Sequence, residues 1–228
     1  MQFPDLINIH CSIFTFKVLP TIESTMDARK KTLLILGLAS LVMYYPITKY
    51  LYRYFYLGID SGFLKKLGFF SGNPGTPLAW ILALIFGLGY VMISMNAVPI
   101  IKEKWLEISW FNLFGFLAII SAAVVEEAFF RRFIMDKLAT NGYDNLSQII
   151  LSGLAFGISH GVWGFLKGSP QVAIKAILYT TLLGLALAII YLIGDRSLAP
   201  CITSHYISAG LIEPWLIYGL ILGKPPKS

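Results

Sequence analysis

Charged residues are scarce in this 228-residue chain, where Asp, Glu, Lys and Arg together make up 13%. An ordinary globular domain carries roughly 25%, and a soluble surface with so few charges would leave broad apolar patches in water. A soluble single domain is thereby excluded. Cysteine is almost missing as well: Cys11 and Cys201 are the only two, no metal or disulfide spacing joins them, and both read as small apolar fillers. Long polar loops, internal repeats, low-complexity tracts and a phosphate-cradling glycine loop are lacking too. What the chain has instead is 57% hydrophobic residues and a mean hydropathy of +0.72. The net charge of +6 comes from Lys and Arg spread along segment ends. That placement suits anionic lipid head groups better than nucleic acid. The expectation is an integral protein of the lipid bilayer, with no nucleic-acid partner.

A membrane-spanning helix needs about 20 mostly apolar residues. Spans are expected near 32–52, 78–101, 111–138, 147–166, 171–193 and 197–221. The last is open to division into two short segments because Pro214 lies inside it. The expected fold class is all-α, a polytopic transmembrane helix bundle with six to seven spans. Short connections rich in Gly, Pro and Asn, such as Gly72–Pro77 and Asn141–Asn145, join them. The chain then divides into an extension at 1–31, two spans with their loops at 32–110, a core at 111–221 and a short basic tail at 222–228. Residues 1–25 make a poor signal peptide. Met26-Asp27-Ala28-Arg29-Lys30-Lys31 ahead of an apolar run looks like a native start, so translation is expected to begin at Met26, and His10 and Cys11 carry no functional weight. Gly87, Gly89 and Gly184 permit close helix packing, which serves contacts within one chain as readily as a dimer and leaves the oligomeric state open.

The polar residues that interrupt these spans are where chemistry is expected. The third span holds Ala122-Ala123-Val124-Val125-Glu126-Glu127-Ala128-Phe129-Phe130-Arg131-Arg132. Each charge near a bilayer centre costs about 2.5–3.5 kcal/mol, so intramembrane ionisable residues are functional by default. Glu127 and Arg131 are four apart and share a helix face, where they form an ion pair. Glu126 is rotated about 100° from Glu127 and is left free. The plainer reading puts these charges at the interfacial end of the span, reaching toward head groups. His160 interrupts the fourth span, one turn after Phe156, and His205 interrupts the last. Either alone reads as a hydrogen-bonded interhelical residue. Together with the glutamates they form a set able to meet in a bundle core. Two chemistries remain open for it. Glu126 takes a proton from water while the histidines orient that water or stabilise an oxyanion, or Glu and His ligate a zinc ion that activates the water.

Other protease chemistries are disfavoured. His-Glu-x-x-His and Gly-x-Gly-Asp are absent, and a serine nucleophile elbow is not expected. Ser159-His160 and Ser204-His205 are adjacent residues that diverge by about 100° on a helix, so neither pair is expected to act as its own dyad.

Glu126-Glu127-x-x-x-Arg131, then Phe156-x-x-x-His160, then His205 resemble the motifs of the CPBP family (CAAX proteases and bacteriocin-processing enzymes, also called Abi), over roughly 112–215. The resemblance implies an intramembrane glutamate endopeptidase that cleaves a membrane-anchored or lipidated peptide with activated water and no cofactor. By position it implies Glu126 as general base, His160 holding the water, His205 stabilising the oxyanion, and Glu127, Arg131 and Phe156 in support. A plasma (inner) membrane location is expected with it. The third motif departs from the family. Ala209 stands where Asn or Asp is usual, and Ser208 beside it is expected to substitute in part as a donor. The rival expectations are a weak or inactive relative that binds peptides or confers immunity, and a transporter relaying protons through the same cluster.

Overall fold

The computed structural model describes residues 22–57, 72–164 and 169–223. The segment 1–21, with His10 and Cys11, and the tail residues 224–228 lie outside them. Among the described residues seven α-helices follow in chain order: α1 (Ile22–Leu57), α2 (Pro77–Ala97), α3 (Pro99–Lys104), α4 (Trp110–Thr140), α5 (Asn145–Ser159), α6 (Pro170–Ile193) and α7 (Leu198–Leu222). No strand occurs among the described residues. The caps are legible in the sequence. Thr76, Ser109 and Asp144 accept the backbone N–H of Ala79, Asn112 and Ser147 at the starts of α2, α4 and α5, which satisfies donors that a helix start leaves free.

Among the described residues, four helices are long and apolar enough to cross a membrane: α2, α4, α6 and α7. The count of six to seven spans is therefore met only as far as four. The expected span 147–166 falls on α5, which runs 15 residues before a 3₁₀ turn at His160–Val162. At 1.5 Å per residue that is about 22 Å, short of a hydrocarbon core of about 30 Å. The expected span 78–101 breaks at Val98, whose extended backbone is what Pro99 imposes on the residue before it. By contrast, α7 continues unbroken through Pro214. Gly115 of α4 explains how the ring is accommodated, since a Cβ there would lie 2.4 Å from Pro214 Cγ.

The exterior is apolar. Leu78, Ile81, Ile85 and Met92 on α2 and Ile174, Leu178 and Leu182 on α6 are exposed, a face fit for lipid and not for water. At the centre lies α7, half of whose apolar window is buried against 22% for α2. It packs against α1, α2, α3, α4 and α6. The closest pairing is α5 on α6, where Gly153, Gly157 and Gly161 recur every four residues. A Cβ on Gly157 would lie 1.8 Å from Thr181 Oγ1, and one on Gly184 would lie 3.1 Å from Phe156 Cβ. Gly184 and Gly87 thus serve contacts within the chain, while a Cβ on Gly89 would meet nothing within 4 Å.

Polar clamps close both ends of the bundle. At one end Arg29 pairs with Glu107 at 3.0 Å and lies over the rings of Phe111, Trp215 and Tyr218. At the other, Arg196 reaches Asp136 at 2.7 Å and Gln148 at 2.8 Å. It does so from a left-handed backbone (φ 60°) that follows Asp195 at φ 52°, a conformation uncommon outside glycine. Between these clamps lies the interior where the ionisable residues meet.

Candidate active site

Glu126 and Glu127 sit near the middle of α4, where the helix widens. Residues Trp110–Glu127 are α-helical, Ala128–Met135 form a π-helical stretch, and Asp136–Thr140 return to α. Such widenings gather at functional sites because they re-aim side chains. This one also offers the Phe130 carbonyl to the Ser152 hydroxyl of α5, at 2.9 Å.

The two glutamates divide as helix geometry requires. Glu127 and Arg131 are fully buried and form an ion pair, Nε to Oε2, at 3.0 Å, with an N–H not aligned on the oxygen. Arg131 Nη2 donates to the carbonyl of Gly184 at 3.2 Å, and its guanidinium lies 5.0 Å from the centre of the Phe156 ring. The interfacial reading of the span is therefore overturned for this pair, because a fully buried pair cannot reach head groups. Glu126 points elsewhere, into a cavity of about 410 Å³ lined also by Ala118, Ile119, His160, Trp163 and Glu213. Its Oε2 has no hydrogen-bond partner among the described residues.

Both histidines are anchored by one nitrogen and free at the other. His160 Nδ1 lies 2.8 Å from the Phe156 carbonyl, and His205 Nδ1 lies 2.8 Å from Glu127 Oε1. Both partners are acceptors, so each Nδ1 carries the proton and donates it. The Nε2 atoms then converge on one oxygen, Glu126 Oε2, from 3.7 Å for His160 and 4.0 Å for His205. These separations exceed a direct hydrogen bond and suit a bridging water. Phe156, fully buried, holds the two imidazoles apart, its ring centre 4.5 Å from that of His160 and 5.5 Å from that of His205.

Several expectations need correction. Ser208 is buried and its hydroxyl donates to the His205 carbonyl at 2.9 Å, so its proton is committed to its own helix and not offered to the cavity. Ala209 packs in an apolar cluster with Leu36, Ala118 and Ile119. Residues Gly157-Ile158-Ser159-His160-Gly161 do spell Gly-x-Ser-x-Gly, and Ser159 Oγ approaches His160 Nδ1 to 3.3 Å. The spelling closes a helix, whereas a nucleophile elbow needs a strand-to-helix turn. Ser159 also donates to the Phe156 carbonyl at 2.7 Å, and Nδ1 already bears a proton, so it cannot take another from the serine. As for zinc, no group of three or more His, Cys, Asp or Glu side chains among the described residues is arranged to hold a metal ion. Cys201 is buried and free.

Glu213 is the residue that sequence reading passes over. It lines the same cavity as Glu126, and the rule that intramembrane ionisable residues are functional by default applies to it as fully as to Glu126. Its spacing was a further signal. It follows His205 by eight residues, two turns along the same face of α7.

Residues 108–211 match the family described as type II CAAX prenyl endopeptidase Rce1-like. That is consistent with the CPBP resemblance carried by the motifs. No curated protein and no solved structure matches the chain.

Proposed function

We propose, from a core that matches the Rce1-like endopeptidases over residues 108–211, that this protein is an intramembrane peptidase acting on a membrane-anchored or prenylated peptide by glutamate-activated water. The observation that carries the reading is the convergence of two imidazole Nε2 atoms on Glu126 Oε2, a carboxylate oxygen with no hydrogen-bond partner among the described residues, beside a cavity. A water between Glu126 and His160 gives one proton to Glu126 as its oxygen bonds to the scissile carbonyl carbon. The carbonyl oxygen becomes an oxyanion. A cationic His205, its Nδ1–H held by Glu127, donates Nε2–H to that oxygen. Protonated Glu126 then passes its proton to the amine as the C–N bond breaks. Glu127 and Arg131 keep His205 oriented throughout.

A second reading, a catalytically silent peptide binder, is favoured by Ala209 and Ser208, which leave the oxyanion without a side-chain donor from the next turn of α7. Losing one such donor lowers a rate about 10²–10³-fold, which slows an enzyme without abolishing it. The test is cleavage of membrane-anchored and prenylated peptides by the full chain in liposomes, with and without a chelator, by wild type, Glu126→Ala and Ala209→Asn. Cleavage that is lost in Glu126→Ala, raised in Ala209→Asn and indifferent to the chelator supports a metal-free peptidase. No cleavage by any variant selects the binder.

A further inference from the structure

The cavity that holds Glu126 ends, on the α7 side, at a second carboxyl for which the proposed hydrolysis has no use. Glu213 lines it together with the apolar side chains of Ala118, Ile119 and Trp163. Among the described residues, no hydrogen bond joins Glu213 to the protein. The charged or titratable groups on the cavity wall are Glu126, Glu213 and His160, with no Lys or Arg among the lining residues. His205, cationic in the proposed mechanism, is within electrostatic reach of Glu213 but makes no hydrogen bond to it, and Arg131 is paired with Glu127. An ionised carboxylate facing apolar side chains is costly unless something pairs with it. With no hydrogen-bond partner among the described residues, Glu213 stands open to a basic group on a ligand.

Placement in the cavity sets where on the ligand that group stands. Glu126 and Glu213 line one cavity of about 410 Å³ and are electrostatic neighbours. A peptide with its scissile bond at Glu126 therefore presents to Glu213 a residue within a few positions of that bond.

We propose that Glu213 is a specificity-determining residue, selecting peptides that carry a basic side chain within a few positions of the bond cut and rejecting those with an acidic one there. The inference rests on the peptidase reading of Glu126 for its cleavage test, and on the cavity alone for its binding test. An ammonium or guanidinium at that place pairs with the carboxylate in a site of low dielectric, while an acidic side chain adds a third carboxyl to a wall that already holds two.

The experiment uses one membrane-anchored peptide with Lys, Gln or Glu at each position two to five residues from the cut. It is offered to the full chain in liposomes as wild type, Glu213→Gln and Glu213→Asp. The expected result is kcat/KM at least about tenfold higher for Lys than for Glu in wild type. The preference is kept in Glu213→Asp and erased in Glu213→Gln. Equal cutting of all three peptides by wild type, or a Lys preference that persists in Glu213→Gln, overturns the proposal. If no peptide is cut, the peptidase reading has failed, and binding of the same fluorescently labelled peptides decides separately. Tighter binding of the Lys peptide that disappears in Glu213→Gln supports the assignment, and equal binding of the three overturns it.

Discussion

The two halves of the polar cluster are built from the same residue types to opposite ends. On one side Glu127, Arg131 and His205 Nδ1 are buried and joined to one another. On the other, Glu126, His160 Nε2 and Glu213 face a cavity, and Glu126 Oε2 has no hydrogen-bond partner among the described residues. The difference teaches which charges hold the bundle and which stand open to a cavity. A buried ion pair that loses one member leaves an uncompensated charge, whereas a carboxylate facing a cavity leaves nothing behind when it is neutralised.

The largest effect is expected from the joined half. Glu127→Ala leaves Arg131 buried and unpaired, and should lower stability by about 3–5 kcal/mol, read as a fall in thermal unfolding temperature in detergent. The double variant Glu127→Leu with Arg131→Met should recover most of that loss, because well-packed apolar residues often replace a buried pair without harm. Cleavage should stay absent, since His205 Nδ1 no longer has its acceptor. A double variant as unstable as the single one would break the comparison.

The open half should behave the other way. Glu126→Gln is expected to unfold at the wild-type temperature or above it, while peptide cleavage falls about 10²–10⁴-fold, the usual worth of a general base. A large loss of stability in this variant would mean that Glu126 belongs to the structural half after all.

Gly157 tests whether the open half depends on close packing for its aim. A Cβ there would lie 1.8 Å from Thr181 Oγ1 and 2.8 Å from the Ile177 carbonyl. Overpacking of this kind costs about 1–3 kcal/mol. By pushing α5 from α6, Gly157→Val should displace His160 and lower cleavage about 10²-fold, as a misplacement of about 1 Å does. Activity retained at the wild-type level would show that His160 is positioned by its Phe156 carbonyl alone.

The smallest effect is expected where a pair is open to water. Arg29 and Glu107 are 36% and 21% exposed, so Glu107→Gln should cost about 0–1 kcal/mol. Partial burial raises the Glu107 carboxyl, but hydrogen bonds from Lys104 and Ser109 and the charges of Arg29 and Lys104 outweigh it, and the net shift is downward. A depressed carboxyl contributes stability that is fully present above its unfolded value, near 4.3, and is lost as pH falls through the folded one. Unfolding temperature measured below about pH 4.3 should therefore drop in wild type and drop less in Glu107→Gln.

Where the cluster follows from local geometry, it was legible in the sequence. The Glu127–Arg131 pair is an i, i+4 relation on one helix, and freeing Glu126 from it needs only the 100° step between neighbours. Membrane character follows from composition, and the starts of α2, α4 and α5 from Thr76, Ser109 and Asp144. Where the outcome depends on what packs opposite, the sequence misleads. Pro214 reads as a break, yet the absence of a side chain on Gly115 makes room for it. Ser208 reads as a spare donor, yet it bonds the His205 carbonyl.

By itself, then, the sequence determined that this chain is helical, has the composition of a membrane protein and carries a Glu-Glu-x-x-x-Arg and two histidines within apolar stretches, because those are properties of composition and of spacing along the chain. Tertiary structure alone decided that both imidazoles turn Nε2 toward Glu126 and that Glu213 closes the same cavity. These residues stand on α4, on the turn that follows α5 and on α7, and their meeting depends on how closely glycine-lined helices approach, a quantity that no spacing within one helix contains.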